Sequence, residues 1–135
     1  MGNYVLIVDD DPDVRGLITD VLTMLGVKTR KAVNGVQALQ MVHENPPAAI
    51  MLDLMMPVMD GFSTLVRLQA DPLTRRIPVI LMSAMIDNER HMRKLPGVAG
   101  VIPKGDFSIR RLKSVLEQAK VRAEPLPGGK TSPSL

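Results

Sequence analysis

The stretch YVLIVDDD, residues 4–11, decides the fold, because five consecutive apolar residues run directly into three aspartates. A short apolar run of this kind with an abrupt polar end indicates a strand that is buried on both faces, as in parallel sheets. Similar runs occupy residues 48–52, 79–82 and 98–102, and a further one begins near Lys28. The sequence therefore predicts five strands in one largely buried sheet.

The segments between these strands carry the spacing of amphipathic helices, together with residues that begin helices. Pro12 suits the first turn of the first helix, while Asn34 and Asp60 suit the N-caps of the second and third. Residues predicted to face the sheet from these helices are Val14, Leu17, Ile18, Val21, Leu22, Leu25, Val36, Leu39, Val42, Phe62, Leu65, Val66 and Leu68. Alternating strands and helices predict an α/β fold, a doubly wound parallel sheet built from five βα units.

The end of the chain is predicted to be less regular. The fourth helix should be short, because residues 87–94 offer few inward apolar side chains and Leu95-Pro96-Gly97 stops the helix. The last helix is predicted from Asp106 to about Arg122. Residues 123–135 are rich in Pro, Gly and Ser, so we interpret them as a disordered tail or a truncated linker after a domain over residues 1–122.

Composition narrows the class of protein. The 135 residues are 45% hydrophobic and contain no cysteine, which excludes a disulfide framework and a thiolate metal site. No apolar run approaches the roughly 20 residues that span a bilayer, and the N-terminus lacks the features of a signal peptide. We therefore expect a cytoplasmic protein without a membrane partner.

Charge is divided along the chain. Residues 1–60 carry 4 basic and 8 acidic side chains, whereas residues 61–135 carry 13 basic and 6 acidic ones. The basic half could attract acidic partners, but the whole chain has only two Phe, one Tyr and no Trp to stack on bases. Direct nucleic-acid binding is therefore not expected.

Five polar residues follow the predicted strands closely: Asp9 and Asp10 the first, Asp53 the third, Ser83 the fourth and Lys104 the fifth. The carboxyl ends of parallel strands meet at one edge of a sheet, where such folds bind ligands. Two carboxylates about 5 Å apart repel by about 3 kcal/mol at an effective dielectric near 20, so a cation is needed. Mg²⁺ prefers such oxygen ligands and accepts phosphate oxygens as well.

This constellation favours phosphoryl chemistry. An ionised Asp53 could attack a phosphoryl group and form an aspartyl phosphate, since the metal and Lys104 would neutralise the charge that develops on its oxygens. Ser83 would donate a hydrogen bond to the product. Each residue alone could be an ordinary surface or turn residue, but their joint order favours a site.

Three other functions share parts of this pattern. An EF-hand would begin at Asp9, but Val14 replaces the glycine at its sixth position and Pro12 interrupts the loop. An aspartate-dependent phosphatase would use Asp9 and Asp11, but the following Pro12-Asp13 is wrong for it and a cap domain is missing. The serious rival is a protein-interaction module that keeps the acidic pocket as a scaffold and acts without phosphorylation.

The motifs VLIVDDD (residues 5–11), LDLMMPVMDG (52–61) and IPVILMSA (77–84), with Lys104, resemble the receiver domain of two-component response regulators. The resemblance covers residues 3 to about 122. It implies a flavodoxin-like sheet of strand order 2-1-3-4-5.

The resemblance also implies roles for residues. Asp53 would be the phosphoacceptor, supplied by a sensor histidine kinase or a histidine phosphotransfer protein in a phosphorelay. Asp10, Asp53 and the backbone carbonyl of Met55 would bind Mg²⁺, with Asp9 acting through water. Ser83 and Lys104 would sense the phosphoryl group and shift a pre-existing conformational equilibrium. Such a domain is not an enzyme beyond Mg²⁺-dependent self-phosphorylation from a phosphodonor and slow self-dephosphorylation.

Two positions depart from the family pattern. Val101 stands where receivers often carry a switch Tyr or Phe, so an aromatic ring cannot swing inward here. Gly105 replaces the proline that commonly follows the lysine, which makes a cis bond after Lys104 unfavourable. The output partner is therefore not specified, and a homodimer that forms on phosphorylation is a further candidate.

Overall fold

The computed structural model describes residues 3–84 and 89–121, in which five strands alternate with five helices. Their bounds are β1 Tyr4–Val8, α1 Pro12–Met24, β2 Lys28–Ala32, α2 Gly35–Glu44, β3 Ala49–Asp53, α3 Gly61–Ala70, β4 Val79–Ser83, α4 Glu89–Arg93, β5 Val98–Pro103 and α5 Ile109–Gln118.

All four strand pairings are parallel, and the strand order is β2-β1-β3-β4-β5. The predicted α/β fold and its order 2-1-3-4-5 are confirmed. Strand β1 pairs with β2 on one side and with β3 on the other, so the direction of strand addition reverses at β1. In open α/β sheets this reversal creates a crevice beyond the carboxyl ends of the strands.

The core has two layers, one on each face of the sheet. Side chains alternate between the faces along β1, where Leu6 and Val8 point one way and Val5 and Ile7 the other. The first layer also contains buried residues of α2, α3 and α4, and the second contains those of α1 and α5. Both faces of the sheet are thus covered, which explains the continuous apolar runs in the sequence.

Side-chain caps begin the helices where the sequence predicted them. Asn34 accepts a hydrogen bond from the backbone N–H of Gln37 at 2.8 Å, and Asp60 accepts one from Ser63 at 2.7 Å. Asp11 caps α1, with Pro12 at its first position. Each cap satisfies a backbone donor that has no partner inside its helix.

Four apolar residues predicted to face the sheet are instead exposed: Leu17, Val36, Phe62 and Val66. In α3 the inward stripe consists of Gly61, Thr64, Leu65 and Leu68, which have the i, i+3, i+4, i+7 spacing of one helix face. Phe62 and Val66 form a neighbouring stripe that the sheet does not reach. Thr64 can be buried because its hydroxyl donates to the Asp60 carbonyl at 2.9 Å.

Several boundaries also differ from the prediction. Strands β3, β4 and β5 each extend one residue further, to Asp53, Ser83 and Pro103, because these residues still take part in the strand pairing. Helix α5 is shorter than predicted, since Ser108 caps its start and Lys120 adopts a left-handed backbone beyond its end. The described part of α4, Glu89–Arg93, has five residues. Residues 85–88 before it lie outside the described residues, so the prediction of a short fourth helix over 87–94 stays a prediction at its start.

Among residues 3–84 and 89–121, no helix is long and apolar enough to cross a bilayer. The predicted tail, residues 123–135, lies outside this range, so the domain boundary at residue 122 stays a prediction.

Candidate functional site

The site residues predicted from the sequence gather at the carboxyl edge of the sheet. Asp9 directly follows β1, and Asp53 is the last residue of β3. Ser83 ends β4, where its carbonyl accepts a hydrogen bond from the Lys104 backbone N–H at 2.7 Å. The fold therefore brings together residues that lie up to 95 positions apart in the chain.

One ammonium contacts two buried carboxylates at this edge. Lys104 Nζ lies 2.8 Å from Asp53 Oδ2 and 3.0 Å from Asp9 Oδ2. The Lys104 side chain is 23% exposed, whereas those of Asp53 and Asp9 are 2% and 0% exposed. Buried charges at such distances interact more strongly than surface pairs because water screens them less.

Backbone donors hold the second oxygen of each carboxylate. Asp9 Oδ1 accepts a hydrogen bond from the Asp11 N–H at 2.9 Å, and Asp53 Oδ1 accepts one from the Met55 N–H at 3.2 Å. Asp9 Oδ2 is buried and has no hydrogen-bond partner, since its contact with Lys104 has the distance of an ion pair without the orientation of a hydrogen bond. This oxygen can accept a further cation without losing a hydrogen bond.

Burial and charge shift the pKa of both partners. Burial raises the pKa of Asp53, and the negative charge of Asp9 acts in the same direction, against the hydrogen bonds from Lys104 and Met55. For Lys104, burial lowers the pKa, but its hydrogen bond to Asp53 and its close contact with the Asp9 carboxylate outweigh burial and raise the pKa overall. Lys104 is therefore protonated at neutral pH, and added positive charge would favour the ionised form of Asp53.

The acidic cluster has the donor set of a magnesium site. Asp9, Asp10 and Asp53 each offer a carboxylate oxygen, and these oxygens lie within 4.8 Å of one another. Three carboxylates and the Lys104 ammonium leave two negative charges, which one divalent cation neutralises. Asp10 is exposed, which leaves the cluster open to water and to a ligand. Oxygen ligands with room for water fit Mg²⁺.

Met55 lies beside this cluster, as predicted, with its side chain directed toward solvent. The residue is 66% exposed and lines an open groove of about 830 Å³ together with Ser83. Its N–H group is bound to Asp53, and the metal-binding role of its carbonyl stays a prediction.

Two residues outside the predicted set of site residues support the site. A Cβ on Gly61 would lie 2.3 Å from the Asp53 carbonyl oxygen, so only glycine lets α3 begin this close to β3. Arg15 donates from NH1 to the Asp9 carbonyl oxygen at 2.6 Å. Both contacts are made to backbone atoms. The only sequence signals for them are a glycine directly after the Asp60 cap and an arginine in the first turn of α1.

The two departures from the receiver pattern, Val101 and Gly105, have neither a cis peptide bond nor a left-handed backbone. Val101 is buried, and its carbonyl accepts a hydrogen bond from Arg111 NH2 at 2.9 Å. The same nitrogen lies 2.8 Å from Glu89 Oε1, so Arg111 joins α4, β5 and α5. All peptide bonds of the described residues are trans, including the bond between Lys104 and Gly105.

Comparison with known proteins agrees with this geometry. The sequence model of the response regulator receiver domain matches residues 5–117 of the chain. The chain belongs to this family. It is a receiver domain of the kind found in two-component response regulators, which confirms the resemblance described above.

Curated relatives of this receiver include response regulators. The response regulator PleD of Caulobacter vibrioides is 36% identical over 91% of the chain and 26% of its own length. The phosphate regulon transcriptional regulatory protein PhoB of Pseudomonas aeruginosa is 34% identical over 87% of the chain and 53% of its own length. The receiver thus spans about a quarter and about half of these two relatives.

Solved structures share the fold across nearly the whole domain. The receiver domain of the Francisella response regulator 1452 has a TM-score of 0.76 and 31% identity, covering 88% of this chain and 98% of that one. The receiver domain of a sensor histidine kinase from Pseudomonas aeruginosa, solved with a magnesium ion in its active-site cleft, has a TM-score of 0.77 and 25% identity, covering 89% and 99%.

Proposed function

We propose that this receiver is the phosphoacceptor of a two-component phosphorelay, phosphorylated on Asp53 in a Mg²⁺-dependent reaction. The observation that carries the proposal is the contact of Lys104 with both Asp53 and Asp9 at the edge of the sheet. A buried carboxylate beside an ammonium supplies a nucleophile and one positive charge, and the cation that the acidic cluster would hold supplies the second positive charge that phosphoryl transfer uses.

The reaction follows from these positions. A carboxylate oxygen of Asp53 attacks phosphorus while the bond from phosphorus to the donor breaks, and the electron pair of that bond leaves with the donor. Lys104 stabilises the negative charge as it moves from the carboxylate to the phosphoryl oxygens, and the Ser83 hydroxyl donates to one of them. Bound Mg²⁺ would be held by Asp10, Asp53 and the backbone carbonyl of Met55, with Asp9 acting through water, and would neutralise charge on the transferred group.

Signalling would follow from the product. Phosphorylation adds about −1.5 to −2 charge and three acceptor oxygens. The side chains of Ser83 and Lys104 would turn toward these oxygens. Both residues lie next to the region that Arg111 connects, which consists of α4, β5 and α5. We propose that this region changes conformation and that a separate output partner, or a second copy of the chain, reads the change.

The donor is proposed to be a sensor histidine kinase or a histidine phosphotransfer protein, with an imidazole nitrogen as leaving group. The cytoplasmic location stays the prediction made from composition.

The test is incubation with acetyl phosphate and Mg²⁺, followed by intact mass measurement. We expect the chain to gain one phosphoryl group, and we expect no gain for Asp53→Asn or in the presence of a chelator. A phosphorylation-independent interaction module would show no gain under any of these conditions, which would reject the proposal.

A further inference from the structure

Arg15 makes a short, charge-assisted contact with the acidic loop. Its NH1 group donates to the Asp9 carbonyl oxygen at 2.6 Å, from the first turn of α1. Hydrogen bonds with an ionised donor are shorter and stronger than neutral ones. The helix fixes Arg15 in turn, because its N–H donates to the Asp11 carbonyl at 3.1 Å and its carbonyl accepts from the Thr19 hydroxyl at 2.7 Å.

The contact completes the hydrogen bonding of Asp9. The Asp9 N–H donates to the Ala32 carbonyl at 3.2 Å, and Oδ1 accepts from the Asp11 N–H. With its carbonyl held by Arg15, Asp9 keeps one buried oxygen without a hydrogen-bond partner, Oδ2, which faces Lys104. The residue is therefore fixed in an orientation in which this oxygen contacts Lys104 as an ion pair and has no hydrogen bond to lose to a metal ion.

The choice of acceptor matters for a metal site. An arginine paired with a carboxylate would compete with a cation for the same oxygens. Arg15 binds the backbone carbonyl between the side chains of Asp9 and Asp10, so it restrains the loop while the carboxylate oxygens stay available.

We propose that Arg15 is a positioning residue for the metal site: by holding the Asp9 carbonyl it fixes the directions of the Asp9 and Asp10 carboxylates and sets the affinity for Mg²⁺. This inference rests on the proposed function, which makes Mg²⁺ the ligand of the cluster. Residues that orient metal ligands change metal affinity about 10- to 100-fold when they are replaced.

The test measures Mg²⁺ binding to the apo protein by isothermal titration calorimetry. Arg15→Met should weaken binding about 10- to 100-fold, and Arg15→Lys, which keeps a charged donor, should recover part of the loss. Arg67→Met removes an exposed arginine of α3 and should bind like the wild type. At saturating Mg²⁺, Arg15→Met should be phosphorylated at nearly the wild-type rate, because Arg15 does not touch the reacting atoms.

Wild-type affinity in Arg15→Met, or a phosphorylation rate that stays low at saturating Mg²⁺, would overturn the inference. If circular dichroism shows that Arg15→Met is unfolded, Arg15→Leu, which also lacks a donor, replaces it, and wild-type affinity in that variant has the same meaning. A wild-type chain that binds no Mg²⁺ would instead reject the proposed function, so the two failures are distinguishable.

Discussion

Lys104 donates a 2.8 Å hydrogen bond to Asp53, although the two residues are 51 positions apart and β4 lies between their strands. The same ammonium lies 3.0 Å from Asp9. One side chain thus neutralises part of the charge of two buried carboxylates and occupies the place from which a phosphoryl group on Asp53 would be contacted. The contact of Lys104 with the two carboxylates is therefore expected to affect both the stability of the fold and the phosphorylation of Asp53.

Lys104→Met should destabilise the apo protein. Two buried carboxylates would lose their positive neighbour, and breaking a buried ion pair in this way costs roughly 3 kcal/mol when the removed partner is partly exposed. Urea denaturation at neutral pH measures the effect. Mg²⁺ should restore most of the lost stability, since it replaces the missing charge.

The matched control for this variant is Lys94→Met, which changes an exposed lysine and should alter stability by less than about 0.5 kcal/mol. Equal effects of the two substitutions, or a Lys104→Met variant that Mg²⁺ does not stabilise, would contradict this account of the contact.

The stability difference between Asp53→Asn and the wild type should depend on pH. Burial raises the pKa of Asp53 above its ordinary value of 3.8, so the folded wild type binds this proton more tightly than the unfolded chain does. The wild type therefore loses stability relative to Asp53→Asn as pH rises from about 4 through the raised pKa. Thermal denaturation of both proteins across this pH range, without Mg²⁺, measures how their stability difference changes with pH. A stability advantage of Asp53→Asn that stays constant or falls as pH rises would contradict the prediction.

Gly61→Ala should disturb the phosphoacceptor. Its Cβ would lie 2.3 Å from the Asp53 carbonyl oxygen and 2.7 Å from the Leu54 Cα, and neither backbone atom can turn aside. We expect a loss of about 1–3 kcal/mol in unfolding free energy and slower phosphorylation by acetyl phosphate.

Gly16→Ala provides a control of opposite sign. Gly16 lies inside α1, and beyond its chain neighbours and the helix's own backbone no atom lies within 4 Å of an added Cβ. Alanine there should stabilise the protein by about 0.5–1 kcal/mol, because glycine loses more backbone freedom in a helix. A harmless Gly61→Ala would show that α3 does not need this close approach.

Arg111→Met should loosen α4. The substitution removes the donor to the Val101 carbonyl and one of the two arginines that contact Glu89. Loss of these bonds costs about 1–2 kcal/mol, and amide hydrogen exchange in residues 89–93 should become faster. Arg110→Met, which changes the exposed neighbour, should leave that exchange unchanged. Unchanged exchange in Arg111→Met would show that the bridge does not hold α4.

Strands β1, β3 and β4 were predictable because both faces of the sheet are covered there, which makes each of them a continuous apolar run. The edge strand β2, Lys28–Ala32, is mostly polar and exposed, so it lacks this signal. The ends of β3 and β4 were less predictable, since Asp53 and Ser83 remain in the strand pairing although they are polar.

The inward face of α3 was predicted in part: Leu65 and Leu68 are buried as expected, but two other residues are not. Thr64 is buried through its own hydrogen bond, while the apolar Phe62 and Val66 are exposed, and composition cannot distinguish these cases.

The grouping of the site residues could be predicted from their order in the sequence, because parallel strands place the residues that end or follow them at one edge of the sheet. Sequence could not give the contact of Lys104 with two carboxylates, since that depends on one flexible side chain and its burial. Arg15 was missed because it acts on a backbone atom, and such contacts leave no pattern of residue types. Gly61 was part of the motif at residues 52–61, but its close approach to β3 could not be derived from the sequence. Met85, a neighbour of the predicted site in sequence, lies outside the described residues.

The most direct test of the central claim locates the phosphoryl group. Borohydride reduces an acyl phosphate to an alcohol with release of phosphate, and so converts a phosphorylated aspartate into homoserine. After treatment with acetyl phosphate and Mg²⁺, peptide mass mapping should find homoserine at position 53. Homoserine at position 9 or 10, or unmodified aspartate at all three positions, would contradict the account.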